Sequence, residues 1–175
     1  MATLCDFSYY PFQFVMRSTA DAVPCLLYHF RSTKTRRWYI VRVEEYPNHF
    51  YGIKFYLKDD AHSSYKYNRL TGLNEARPVI RTCIAILLDI AERDKHSSFG
   101  FIGANLKEES THNETKRFRV YRRILTSYFS QNIFEHYQIT QQSAYAMVRK
   151  SELAIKPDLI EQISMYFSDN YTNFD

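Results

Sequence analysis

The sequence predicts an α+β domain built on a mixed, mostly antiparallel sheet. Three observations predict it. Residues 7–58 hold four strand-like runs joined by short polar turns. Residues 79–91 form the most apolar stretch of the chain, with helical spacing. A short strand, a second helix, two strands and a last helix follow, so the order reads ββββ-α-β-α-ββ-α. At 175 residues the chain is one domain by size, 1–175, and buries about 70% of its unfolded surface without staples.

The first run, 7–18, has strand composition, but Pro11 confines it to an edge or an irregular strand. Residues 25–31 form the second strand. In 37–46, Trp38 and Ile40 alternate with Tyr39, Val41 and Val43, so both faces of that strand are covered. Pro47-Asn48 is a turn signal, and 49–58 is the fourth strand, with Phe50, Ile53, Phe55 and Leu57 as core candidates. Short polar turns between consecutive strands predict an antiparallel meander.

Ile80, Cys83, Ile84, Leu87, Leu88 and Ala91 then recur at i, i+3, i+4 spacing, and Val79, Ile86 and Ile90 widen that face. A helix apolar on most sides is a buried one. It is too short to span a membrane, and Arg81 and Asp89 interrupt it. Asn74 is the expected N-cap, with Glu75 beside it in the favourable field of the helix start. Residues 99–104 read as a buried strand and 114–129 as a helix with Phe118, Tyr121, Leu125 and Tyr128 on one face. Residues 134–139 and 144–149 are two further strands, and Pro157 opens a last helix, 157–168. A strand that follows a crossover helix is expected to run parallel to its predecessor, which makes the sheet mixed.

Fifteen Tyr and thirteen Phe suit strands and half-buried surfaces, while four Gly and five Pro argue against disorder. A net charge of +4 permits an anionic partner without requiring one. Cys5, Cys25 and Cys83 are odd in number and far apart, as in a reducing compartment, and no basic or apolar leader opens the chain, so a cytoplasmic location is expected. The six histidines lack metal-ligand spacing and no C-x-x-C occurs, so no metal is expected. Nucleophile elbows, Walker loops and dinucleotide fingerprints are absent.

From residue 38 to about 150, the succession of strand, loop, buried helix, strand, helix and two strands resembles the GNAT acetyltransferase superfamily. Arg69-Leu-Thr-Gly72-Leu-Asn74 looks like its pyrophosphate loop, [QR]-x-x-G-x-[GA], departing at Asn74. Asn113 and Val120-Tyr121 are similar to the N-x-x-[AS]-x-x-[LF]-Y helix, with Asn113 one residue too far away. Strands stand at the front where the family has two helices. The resemblance implies an acyl-CoA-dependent acetyltransferase acting on an amine. Acetyl-CoA would bind at Arg69, Gly72, Asn74 and Arg77, and Tyr121 would be the general acid for the departing thiolate.

The residues themselves allow that chemistry and a plainer one. Amides at a helix start bind phosphate oxygens, and Arg69 or Arg77 adds charge, but an ordinary capped helix has the same residues. Glu44, Glu45 and His49 are the bases within reach of the central strands, or solvated side chains. Lys116, Arg119, Arg122 and Arg123 share about a third of the circumference of the second helix. Such a stripe tracks phosphates, pairs with Glu108, Glu109 and Glu114, or faces solvent. With Arg36, Arg37, Trp38 and Tyr39, it suits the alternative: a non-enzymatic module that contacts nucleic acid or a partner protein in a bacterial or phage assembly.

Overall fold

Alternating side chains pair the strands as the meander requires. The computed structural model describes residues 8–64, 66–67, 74–102, 116–139 and 144–171, apart from the side chains of Ile102, Lys116, Arg117, Phe118, Val120, Tyr121, Asn170 and Tyr171. Its strands are β1 (Phe12–Ser18), β2 (Cys25–Arg31), β3 (Trp38–Tyr46), β4 (Phe50–Leu57), β5 (Ser98–Ile102), β6 (Phe134–Ile139) and β7 (Ala144–Arg149). They form one seven-stranded sheet in the order β1-β2-β3-β4-β5-β7-β6. Only β4 and β5 run parallel, because helix α1 (Ala76–Arg93) carries the chain back between them. Helices α2 (Lys116–Tyr128), α3 (Lys150–Ile155) and α4 (Leu159–Tyr171) complete the order. The fold class read from the sequence is the one observed.

The two faces of the sheet bury different halves of the alternation. Tyr39, Val41 and Val43 of β3 and Ile53 of β4 pack with Val79, Ile80, Cys83, Ile84 and Leu87 of α1, and with Leu125 of α2. Tyr46 and Phe50 point the other way, onto Leu159, Ile163 and Phe167 of α4. Phe50 is therefore core, but in the opposite layer from Ile53. α1 is buried on most of its circumference, as its apolar width demanded.

The first strand, the last helix and the burial of Tyr39 differ from the sequence reading. β1 begins at Phe12, after the proline that cannot donate to a ladder, and its register shifts between Phe14 and Met16. A short helix, α3, precedes the last one. Lys156 stands before Pro157, where α-geometry is disfavoured, so the helical stretch breaks and restarts at Leu159. Tyr39, grouped with Trp38 for contact with a partner in the alternative reading, is buried, because odd positions of β3 face α1, whereas Trp38 is exposed.

Candidate functional site

The start of α1 is built differently from the expectation. Glu75, not Asn74, is the N-cap, and no side chain caps the helix amides. Asn74 is exposed and takes a left-handed φ of 51°, a conformation that Asn tolerates better than most residues. Glu75 turns inward instead. Its buried carboxylate accepts hydrogen bonds from Ser32 Oγ (2.6 Å), Tyr10 OH (3.3 Å), Tyr39 OH (2.6 Å) and Thr35 Oγ1 (3.1 Å). Lys34 Nζ donates to the Asn74 carbonyl at 3.3 Å. Four hydroxyls satisfy the charge, so Glu75 bolts α1 to the turn between β2 and β3. Arg69 and Gly72 of the expected phosphate loop lie outside the described residues, as do the side chains of Tyr121 and Lys116.

One turn into α1 the surface becomes basic. Arg77 and Arg81 are four residues apart and share a helix face, as do Arg119 and Arg123 on α2. The structure brings the four together around one cleft of about 550 Å³, floored by Ile124, Ser127 and Tyr128. Arg77, assigned by sequence to a cofactor loop, and Arg119 and Arg123, assigned to a separate basic stripe, thus line the same cavity. Among the described residues, no carboxylate lines it. Among the described residues, Arg77, Arg81 and Arg123 make no ion pair, so their charge is directed at the cleft and solvent rather than cancelled locally.

Arg122 faces the other flank of α2. There a second cavity, of about 600 Å³, is lined by Arg119, Arg122, Arg123, Gln138, His136 and Tyr145, among others. His136 Nε2 lies 2.7 Å from the Phe129 carbonyl, and Nδ1 lies 2.8 Å from Tyr145 OH. A carbonyl only accepts, so the neutral ring carries its hydrogen on Nε2 and takes the Tyr145 hydrogen on Nδ1. Burial holds the His136 pKa below the ordinary imidazole value, opposed by the Phe129 bond. Burial also pushes the Tyr145 phenol up, with Arg122 pulling the other way. Sequence reading missed this pair because its members meet diagonally across the β6–β7 ladder, where Gln138 is the residue opposite Tyr145.

The candidate bases from the central strands are engaged elsewhere. Glu44 is buried, ion-paired with Lys54 (2.6 Å) and accepting from Tyr46 OH (2.6 Å). Glu45 pairs with Arg17 at 2.6 Å, and His49 Nδ1 lies 2.8 Å from Asp94. Cys83 is fully buried, and burial pushes its thiol pKa well up, which leaves it inert. Among the described residues, no group of three or more His, Cys, Asp or Glu side chains is placed to hold a metal ion, and no helix is long and apolar enough to cross a membrane.

Comparison with protein families, curated proteins and solved structures finds no match for this chain.

Proposed function

We propose that this chain is a GNAT-like domain that grips acyl-CoA by its phosphates in the arginine cleft between α1 and α2, and passes the acyl group to an amine. The observation that carries the reading is the convergence of Arg77 and Arg81 with Arg119 and Arg123 on one cleft. A cleft of about 550 Å³ is of small-molecule size. Guanidinium forks match phosphate oxygens two at a time, and CoA carries several phosphates. The order β4, α1, β5, α2, β6, β7 also supports the resemblance, as does the single parallel pair flanking α1. The β4–β5 ladder runs from Phe50 to Ile53, and Lys54 to Leu57 of β4 have only β3 beside them among the described residues. Arg77 is thereby a cofactor-binding residue as the resemblance implies, and Arg119 and Arg123 join it in that role. Tyr121 stays the candidate acid for the thiolate.

The test is calorimetric titration with acetyl-CoA. Saturable binding that weakens with salt and is lost when Arg81 and Arg123 are both replaced by Ala supports the reading. No heat at millimolar acetyl-CoA overturns it.

A second reading rests on Arg122, which carries the basic surface past the first cleft into the second. A polyanion lying across α2 would meet arginines on both flanks, as a nucleic-acid strand does. Retardation of an oligonucleotide that Arg122→Glu abolishes, with acetyl-CoA inert, would favour it.

A further inference from the structure

We propose that the pocket beside Trp38 binds a nucleotide, with the base stacked on the indole and the phosphate held by Arg31 and Arg36. Strand register assembles the site. Arg31 stands opposite Trp38 in the β2–β3 ladder, and Gln13 stands opposite His29 in the β1–β2 ladder. Side chains alternate along a strand, and Phe30 and Tyr39 point toward α1. Gln13, His29, Arg31 and Trp38 therefore share the opposite face of the sheet. With Arg36 from the β2–β3 turn they line a cavity of about 240 Å³. Pockets for drug-sized ligands begin at roughly 300 Å³, so this one suits a single base and its phosphate rather than a whole cofactor. It lies across the sheet from the arginine cleft and does not depend on the acyl-transfer reading.

The side chains supply a platform and two cations. Trp38 is 39% exposed, large for an indole in a sheet. The His29 ring props it, with centroids 4.9 Å apart, and His29 Nε2 in turn lies 3.0 Å from Gln13 Oε1. Bases stack on such an exposed aromatic surface whatever their identity. Arg31 Nε donates to the Arg36 carbonyl at 2.9 Å, which fixes the guanidinium beside the turn. The Arg36 N–H donates to the Ser32 carbonyl at 3.0 Å and holds Arg36 itself in place. Among the described residues neither arginine is in an ion pair, whereas the adjacent Arg37 is paired with Asp59. Guanidinium forks match phosphate oxygens. An isolated phosphate leaves the indole bare, and a nucleoside leaves the arginines unmatched. A nucleotide satisfies both, either free or as part of a single strand.

The experiment is a fluorescence titration of the full chain. Trp38 is its one tryptophan, so indole emission reports this pocket, and a nucleotide held at the arginine cleft stays silent. AMP quenches the emission saturably, adenosine does so about tenfold more weakly, and inorganic phosphate does not quench. Arg36 has a left-handed φ of 63°, which glycine adopts without strain, so Arg36→Gly keeps the turn. It weakens AMP by about tenfold, as a charge-assisted contact is lost, and leaves adenosine unchanged. A short oligoadenylate separates the two sources. Affinity above that of AMP identifies single-stranded nucleic acid, and affinity no higher identifies a free nucleotide. No quenching at millimolar AMP, equal affinity for AMP and adenosine, undiminished AMP affinity in Arg36→Gly, or tighter binding of O-phosphotyrosine than of AMP each refutes the proposal.

Discussion

Tyr145 donates its phenolic hydrogen to Nδ1 of His136 across 2.8 Å, because the far nitrogen of that ring is committed to the Phe129 carbonyl at 2.7 Å. One backbone oxygen at the end of α2 thus sets the tautomer of a side chain on β6 and the direction of a hydrogen bond from β7.

The pair makes stability depend on pH in one direction. The folded His136 pKa is depressed by burial, while the unfolded ring titrates near about 6.5. Above that value both states are neutral and the contribution is fully present. Below it the unfolded chain takes a proton that the fold resists, so stability is lost as pH falls through 6.5 toward the folded value. The melting temperature of the wild type therefore drops between pH 7 and pH 5 more steeply than that of His136→Gln. Parallel melting curves for the two proteins would contradict this.

Glu75 anchors α1 to the β2–β3 turn through four hydroxyl donors. Glu75→Ala strands those buried hydroxyls and costs about 3 kcal/mol. Glu75→Gln keeps the shape and loses the charge, so its cost falls between. Urea denaturation midpoints measure both, and an Ala variant as stable as the wild type would show that the network is not a fastener.

Gly100 on β5 leaves room for two rings. A Cβ there would lie 2.7 Å from Phe50 Cζ and 2.8 Å from Phe167 Cζ. Gly100→Ala forces β5 away from the α4 layer and costs about 2 kcal/mol. At Gly52 the nearest atom to an added Cβ is Tyr46 Cε2 at 3.2 Å, on a ring that can rotate slightly, so Gly52→Ala costs less. Thermal melts of the two variants should separate in that order.

Charge reversal at the α1–α2 cleft should act on binding and not on folding. Arg81 and Arg123 make no ion pair among the described residues, so Arg81→Glu or Arg123→Glu keeps the melting temperature within a few degrees. Either reversal lowers acetyl-CoA affinity by at least about tenfold and flattens its salt dependence. Titrations at two ionic strengths check both effects.

All the strands, the longer helices, the buried breadth of α1 and the mixed sheet were legible in the residues, because local alternation and helical spacing are written along the chain; the short α3 was not. Period two put Tyr39, Val41 and Val43 on one face of β3, and period 3.6 wrapped Ile80, Cys83, Ile84 and Leu87 around α1. The site was not legible in the same way. Arg77 and Arg123 are neighbours only because α1 and α2 pack on the same face of the sheet, and His136 meets Tyr145 only through the register of a hairpin. Nor did sequence foresee that Glu75 would look inward. Its partners Tyr10, Ser32, Thr35 and Tyr39 come from distant parts of the chain, and their gathering was decided by which faces the sheet and helices bury together. Periodicity is a property of neighbours in sequence and can be read there. Charge convergence is a property of neighbours in space, and packing alone creates it.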